Sequence, residues 1–231
     1  MPSPLCIGHR GAKGHLPENT LPSFERAIEL GCDWVELDVY AVENELLVIH
    51  DEKVDRTTNG RGYIKDLSLA DLRALDAGEG ARIPTLREVL DLIARRCQVN
   101  VELKGEQTAE PVCELLSEYC NHGWQTEDFL ISSFSHGLLA ECDARYRRGA
   151  LFSKPLPDQW QRAERLGAWS VNFDQRHITG ELVTEAHARG YIVLTYTANT
   201  PGDIQRVIAC GVDGIFSDFP DRVLAARNAS E

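Results

Sequence analysis

A chain of 231 residues can bury one large hydrophobic core, and this length suits a single α/β barrel as readily as two smaller domains. Its formal net charge of −12 argues against nucleic acid and anionic membrane surfaces as partners, because both would repel it. The seven cysteines show no CxxC spacing, so we expect free thiols of a reducing compartment and neither a disulfide framework nor a zinc site.

Short apolar or β-branched segments alternate with amphipathic segments along the chain. Eight segments predict strands, at 5–9, 34–40, 98–104, 129–133, 150–153, 169–173, 191–197 and 214–217. Six segments have helical spacing, at 21–30, 86–95, 111–119, 138–145, 182–189 and 204–209. This alternation predicts an α/β fold, a closed TIM (β/α)8 barrel formed by residues 1–231 as one domain. A doubly wound open sheet is the structural alternative.

Glycines stand where several predicted helices give way to the next strand. A helix commonly ends with a left-handed residue, a conformation that glycine adopts without steric cost. The sequence therefore predicts helix ends at Gly31, Gly149, Gly167, Gly190 and Gly211.

One apolar segment, 46–50, follows the second strand too closely to be another parallel barrel strand. We interpret it as the return arm of a hairpin that turns at Asn44, which would place His50 opposite Asp38. Residues 51–82 then form a small insertion, and we expect this insertion to lie over the mouth of the barrel.

No run of about 18 apolar residues occurs in the sequence, so we predict no membrane-spanning helix. The first residues lack the basic and long apolar regions of a signal peptide. We therefore expect a cytoplasmic protein without stable membrane association. The sequence does not indicate an oligomeric state.

Three carboxylates lie on the predicted inner face of two strands. Glu36 and Asp38 are two residues apart and therefore point the same way, and Glu102 stands in a similar pattern on the third predicted strand. Inward-facing acids are costly unless a cation or several donors compensate them. Three hard oxygen ligands favour one divalent cation, Mg²⁺ or Ca²⁺, although neutralisation by neighbouring lysine or arginine is the alternative.

Two histidines and two cationic side chains are predicted to surround these acids. His9 ends the first strand and His50 arrives through the hairpin, so both imidazoles reach the barrel mouth and can serve as general acid and base. Arg10 and Lys104 would place positive charge at the same position, where it can bind a phosphoryl group or neutralise the acids.

Further candidate pocket residues carry weaker arguments. His15 lies in the loop after the first strand, and Glu18 precedes an amphipathic segment where helix capping is its default role. Tyr196 and Asn199 end the seventh predicted barrel strand and could contact a small polyol, although packing at the strand end explains them equally well.

Taken together and in this order, the motifs resemble the glycerophosphodiester phosphodiesterase family over nearly the whole chain. The segments that carry the resemblance are His9-Arg-Gly11, Pro17-Glu-Asn-Thr20, Glu36-Leu-Asp38, His50-Asp51, Arg56-Thr-Thr-Asn-Gly60, Ile83-Pro-Thr-Leu86, Glu102-Leu-Lys104 and Gly211-Val-Asp-Gly-Ile215. Two positions depart from the family pattern. Tyr196 stands where many relatives have tryptophan, and Ser217 precedes Asp218 where threonine is common.

The resemblance implies a TIM barrel with a small insertion, a divalent ion, and hydrolysis of glycerophosphodiesters to glycerol 3-phosphate and an alcohol. It assigns acid-base catalysis to His9 and His50, and the phosphate contacts to Arg10 and Lys104. It implies that the metal ligands are Glu36, Asp38 and Glu102. The alternatives are a phosphodiesterase acting on lysophospholipids, a non-catalytic phosphodiester-binding barrel, and a metal-dependent aldolase or enolase-like barrel.

Overall fold

The computed structural model describes residues 3–229. Its strands are β1 (Leu5–Gly8), β2 (Trp34–Val42), β3 (Glu45–Val48), β4 (Gln98–Leu103), β5 (Phe129–Ser133), β6 (Arg147–Phe152), β7 (Ser170–Asp174), β8 (Ile192–Tyr196) and β9 (Gly214–Ser217). Its α-helices are α1 (Leu21–Leu30), α2 (Leu69–Ala74), α3 (Leu86–Ile93), α4 (Ala109–Asn121), α5 (His136–Ala140), α6 (Gln159–Leu166), α7 (Gly180–Ala188), α8 (Pro201–Ala209) and α9 (Pro220–Asn228).

The sheet closes on itself. Its strand order is β1-β9-β8-β7-β6-β5-β4-β2-β3, and a further pairing of β1 with β2 completes the cylinder. Every pairing within the ring is parallel, and β3 joins β2 in the antiparallel sense. The predicted (β/α)8 barrel is thus confirmed, and the open-sheet alternative is wrong. Parallel barrels of this kind gather the carboxyl ends of their strands at one mouth.

The first helix shows how the local sequence positions the barrel mouth. Thr20 caps α1 by accepting a hydrogen bond from the amide of Ser23, and proline occupies the first turn. Gly31 ends the helix in the left-handed conformation, at φ 92°. The buried face of α1 carries Phe24 and Ala27, so the helix packs on the barrel while its amino end points towards the mouth.

One predicted glycine cap is wrong, because Gly149 lies inside β6 and not after a helix. The preceding helix α5 ends at Ala140 instead of continuing to 145. Asp143 accepts a hydrogen bond from the amide of Arg145 at 2.9 Å, a local turn that competes with helix continuation. A Cβ on residue 149 would lie 3.1 Å from Asn172 and 3.2 Å from Ser132, so the small residue makes room inside the barrel.

Apolar side chains fill two layers of the barrel. Val35, Leu37 and Val39 on β2 belong to the layer between sheet and helices, as their alternation with the acids predicts. A smaller interior cluster includes Ile7, Trp34 and other residues below the mouth. Within residues 3–229, no helix is long and apolar enough to cross a bilayer.

The predicted hairpin is present, but its register differs by one residue from our expectation. Val39 pairs with Val48, and the amide of Ile49 donates to the carbonyl of Asp38 at 3.0 Å, so Asp38 lies opposite Ile49 and not opposite His50. The reason is a two-residue turn at Glu43 and Asn44, whereas a turn centred on Asn44 alone would shift the pairing.

The segment 51–82 shares a small hydrophobic core with the hairpin. This core contains Val42, Leu47, Ile49, Val54, Ile64, Leu72, Ala77 and Ile83. Helix α2 belongs to this segment and buries Leu72. Apolar packing against the hairpin therefore holds this segment next to His50, which follows the end of β3.

Replacing Leu37 by alanine is expected to destabilise the fold by about 2–5 kcal/mol, because a fully buried side chain between sheet and helices would leave a cavity. Chemical denaturation of both proteins measures the change in the free energy of unfolding. A change below about 0.5 kcal/mol, the size expected at exposed positions, would contradict this packing.

Candidate functional site

The three predicted acids do converge at the mouth of the barrel. Asp38 on β2 lies in register with Glu102 on β4, and Glu36 is two residues earlier on the same inward face. Ligand atoms from all three carboxylates lie within 4.8 Å of one another. Glu36 and Asp38 are buried, so their charges cannot be compensated by bulk water.

Several oxygens in this cluster accept no hydrogen bond, and they fit an oxygen-binding cation. Within residues 3–229, the buried atoms Glu36 Oε1, Asp38 Oδ1 and Asn100 Oδ1 have no hydrogen-bond partner. A buried polar atom without a hydrogen bond costs folding free energy. Mg²⁺ and Ca²⁺ prefer hard oxygen ligands such as those of carboxylates and amides. The residues present therefore fit a divalent cation, held by Glu36, Asp38 and Glu102.

The protonation behaviour of the acids indicates the same deficit of positive charge. Burial and the neighbouring carboxylates raise the pKa of Glu36 well above its ordinary value, and burial together with Asp38 raises the pKa of Glu102 to about 7. Burial alone would raise the pKa of Asp38, but the nearby cations Arg10 and Lys104 lower it. The site thus lacks the charge needed to keep all three acids ionised.

Arg10 and Lys104 stand beside the acids, as predicted. The ammonium of Lys104 lies 2.6 Å from Glu102 and 3.5 Å from Asp38. The backbone amide of Arg10 donates to Glu36 at 2.8 Å, and its Nε lies 3.3 Å from Asp38. Two cationic groups therefore flank the carboxylates without neutralising all three, which leaves negative charge for a metal ion to balance.

A tight loop after β1 fixes Arg10. Its backbone is left-handed at Arg10 and Gly11, with φ 53° and 83°. A Cβ on Gly11 would lie 2.5 Å from Ser23 Oγ, so only glycine fits there. The carbonyl of Arg10 accepts from the amide of Asn19 at 3.0 Å and from Ser23 at 3.1 Å. The first turn of α1 and its approach thus hold the loop in place.

His9 lies at the mouth with a carboxylate behind it. Its Nδ1 is 2.6 Å from Asp218 Oδ1, and both side chains are largely buried. Because an ionised carboxylate only accepts hydrogen bonds, Nδ1 must donate, which leaves Nε2 to act on a ligand. Burial lowers the pKa of His9, and the hydrogen bond to Asp218 opposes part of that effect.

His50 is supported by a carboxylate in the same way. Its Nδ1 lies 2.5 Å from Asp51 Oδ1. A hydrogen bond from Arg56 lowers the pKa of Asp51 to about 2, so this carboxylate is ionised at neutral pH. Burial lowers the pKa of His50, an effect that the charge of Asp38 partly opposes. Both imidazoles are therefore oriented and available for proton transfer.

The two histidines share one cavity of about 220 Å³ with the charged groups. Its lining comprises His9, Arg10, Glu36, His50, Asn100, Glu102, Lys104, Phe134, Leu151, Tyr196, Thr197 and Phe216. Among the large hydrophobic side chains of residues 3–229, only that of Phe134 is exposed, at 47 %. Its ring packs edge-on against the ring of Tyr196. The cavity thus joins a charged inner end to an apolar rim.

The other candidate pocket residues separate into three groups. Tyr196 lines the cavity and donates its hydroxyl to Phe152 O at 2.8 Å. Glu18 lies behind Arg10 and binds its guanidinium at 2.7 Å. His15 pairs with Asp221 outside the cavity, and Asn199 donates to Asp218 at 2.8 Å. Glu18 and Asn199 therefore contact site residues from behind.

Sequence reasoning missed three contributors. Asp218 supports His9 from 209 positions away along the chain, and Phe134 forms the rim after β5. Asn19 stands in the Pro17-Glu-Asn-Thr20 motif but had been given no specific partner, and it donates its side-chain amide to Asp38 at 2.9 Å. One sequence signal was available for Asp218. It follows Ser217 at the end of a barrel strand, at a position where the family commonly has threonine followed by aspartate.

Known proteins resemble this chain over nearly its whole length. The profile of the Glycerophosphoryl diester phosphodiesterase family matches residues 9–222. A glycerophosphodiester phosphodiesterase of Caldanaerobacter subterraneus subsp. tengcongensis is 38% identical over 95% of this chain and 96% of its own length. A glycerophosphodiester phosphodiesterase of Bacillus altitudinis is 36% identical over 96% of this chain and 97% of its own length. The structure of an Oleispira antarctica phosphodiesterase in complex with the product sn-glycerol-3-phosphate has a TM-score of 0.89 at 32% identity, covering 97% of both chains.

Proposed function

This chain is an enzyme of the glycerophosphoryl diester phosphodiesterase family, and we propose that it hydrolyses glycerophosphodiesters such as glycerophosphocholine and glycerophosphoethanolamine. The products are sn-glycerol 3-phosphate and an alcohol, and the reaction uses one divalent cation, Mg²⁺ or Ca²⁺. The observation that carries this proposal is the single cavity that joins two carboxylate-supported imidazoles to three clustered acids and two cations.

Charge balance supports a phosphodiester as the ligand. Three carboxylates face two cationic side chains, so a bound divalent ion would leave one positive charge for the substrate's single negative charge. The guanidinium of Arg10 and the ammonium of Lys104 bind the non-bridging oxygens of the phosphoryl group. Their ion pairs with the acids fix both side chains before the substrate arrives, which lowers the cost of orienting them.

When bound at the three acids, a divalent cation supplies Lewis-acid chemistry, drawing charge from a phosphate oxygen. Glu36, Asp38 and Glu102 would hold it. Asn19 keeps Asp38 oriented through its amide hydrogen bond. The strands that carry these acids are rigid and paired in register, so the ligand geometry does not depend on a mobile loop.

The histidines divide the proton transfers. His9 accepts the proton of the nucleophile at Nε2 and becomes an imidazolium. His50 enters the step as an imidazolium, with protons on both nitrogens, and donates its Nε2 proton to the leaving alkoxide oxygen. Asp218 and Asp51 hold the opposite nitrogens, so both rings keep the required orientation. The insertion 51–82 covers the His50 side of the cavity, a role supported by its packing against the hairpin.

The nucleophile is water or the C2 hydroxyl of the glycerol moiety, which would form a cyclic phosphate. A substrate lacking the C2 hydroxyl separates these routes. Unchanged turnover of that substrate would eliminate the cyclic route, whereas loss of turnover with retained binding would support it.

The proposal is tested by measuring release of sn-glycerol 3-phosphate from glycerophosphocholine and glycerophosphoethanolamine. We expect release from both, and absence of release in the presence of Mg²⁺ and of Ca²⁺ would contradict the proposal. Lysophosphatidylcholine is included because the apolar rim at Phe134 could accept an acyl chain. Preference for that lysolipid would instead favour a phosphodiesterase of the lysophospholipase D type.

Replacing Asp218 by alanine is expected to lower kcat by about 10- to 100-fold, because His9 loses the carboxylate that orients its ring. Steady-state kinetics with glycerophosphocholine measures the change. Asp221→Ala is the matched control, since it removes the partner of His15 at the same 2.6 Å distance outside the cavity. Equal losses in the two variants would contradict a role for Asp218 in orienting His9.

A further inference from the structure

Arg56 joins the two halves of the proposed site from outside the cavity. Its Nε donates to Asp51 at 2.6 Å, and its two terminal nitrogens donate to both oxygens of Glu18 at 2.8 and 2.9 Å. One guanidinium therefore spans two carboxylates that belong to different segments of the chain. Only the planar fork of arginine can make these bonds at the same time.

Each of those carboxylates holds a residue that lines the cavity. Asp51 contacts Nδ1 of His50, the proposed general acid. Glu18 accepts from the guanidinium of Arg10 at 2.7 Å, and its side chain is only 8% exposed. Arg56 thus connects the proton donor to the phosphate-binding arginine through one carboxylate on each side.

The segment that carries Arg56 is fixed by its own hydrogen bonds. Val54 is fully buried, and its carbonyl accepts from the Thr58 hydroxyl at 2.8 Å. The amide of Gly60 donates to the same hydroxyl at 3.0 Å, and the amide of Gly62 donates to Asp55 at 2.9 Å. The insertion therefore presents the guanidinium in a defined position, as accurate positioning requires.

We propose that Arg56 is a positioning residue that holds His50 in line with the phosphate bound at Arg10. This inference rests on the proposed function. Arg56 does not line the cavity lined by the two histidines, so it acts through Asp51 and Glu18 and not on the substrate. The insertion then contributes to turnover through this bridge.

A purely structural role predicts a different result. The Arg56 side chain is 46% exposed, and ion pairs at such positions contribute little to stability. Arg87 provides the matched comparison, since its guanidinium makes two hydrogen bonds to Glu118, it is 48% exposed, and it lies away from the site. If exposed arginine–glutamate pairing is all that matters, Arg56→Gln and Arg87→Gln will behave alike.

The test compares Arg56→Gln with Arg87→Gln on two substrates. One substrate is glycerophosphocholine, and the other is the glycerophosphodiester of p-nitrophenol, whose leaving group departs without needing a proton. We expect Arg56→Gln to lower kcat for glycerophosphocholine by about 10- to 100-fold, because small misplacement of an acid costs this much. The loss should be at least about tenfold smaller with p-nitrophenol, and Arg87→Gln should match the wild type on both.

Arg56→Lys keeps a positive charge between the two carboxylates but removes the planar guanidinium. It therefore tests whether the simultaneous hydrogen bonds to Asp51 and Glu18 matter, even if the neutral variant folds poorly. We expect it to show the same dependence on leaving group as Arg56→Gln. Full turnover by Arg56→Lys, or equal losses on the two substrates, would overturn the proposal. If the wild type releases no glycerol 3-phosphate, the proposed function fails. If the wild type releases glycerol 3-phosphate and Arg56→Gln turns over both substrates at the wild-type rate, only the positioning role is overturned.

Discussion

Replacing His9 by alanine is expected to lower kcat for glycerophosphocholine by about 10²- to 10⁴-fold, because a positioned general base contributes this much to proton transfer. The imidazole lies in the cavity and is oriented by Asp218. KM should change much less, since the proposed phosphate contacts come from Arg10 and Lys104. Initial-rate measurements over a range of substrate concentrations separate the two constants.

His15→Ala is the control for this prediction, because His15 belongs to the same loop but pairs with Asp221 outside the cavity. Thermal melting should confirm that the His9 variant remains folded. A folded His9→Ala protein with at least a tenth of wild-type kcat would contradict the assignment of His9 as the base.

Removing the divalent cation is expected to abolish turnover and also to lower thermal stability. A cation that binds only the folded cluster would stabilise the protein by about 2.7 kcal/mol at 100 times its dissociation constant. Melting temperatures with chelator, with Mg²⁺ and with Ca²⁺ measure this effect without any assay of activity. Chelator-resistant turnover would exclude the cation from the chemistry.

Glu102→Gln provides the matching variant, because it removes one ligand charge while keeping the shape of the side chain. Its melting temperature should rise much less on adding cation than that of the wild type. Glu118→Gln serves as the control, since Glu118 pairs with Arg87 on the surface. An equal cation-induced shift in wild type and Glu102→Gln would place the ion elsewhere.

The strand pattern was enough to predict the fold and the inward acids. Val35, Leu37 and Val39 alternate with Glu36 and Asp38, and a period of two leaves only one face for the carboxylates. The family resemblance of the motifs is confirmed, and it agreed with the residues chosen from pattern alone. Regular alternation is a local property, so one sequence suffices to predict it.

Pairing between distant segments could not be predicted in this way. Asp218 meets His9 only because barrel closure brings β9 beside β1, and nothing local to His9 signals that partner. The hairpin register depended on whether Glu43 joins the turn, a choice that the sequence left open. His50 reaches the cavity because it follows the end of β3, and not through pairing with Asp38.

The measurement that tests the central claim most directly is a crystal structure of the protein with Mn²⁺ and sn-glycerol 3-phosphate. Mn²⁺ favours carboxylate and water ligands and can be located by its anomalous scattering. We predict one anomalous peak within about 2.0–2.6 Å of oxygens from Glu36, Asp38 and Glu102, with the phosphate between His9 and His50. A peak away from these carboxylates, or a phosphate outside this cavity, would contradict the account.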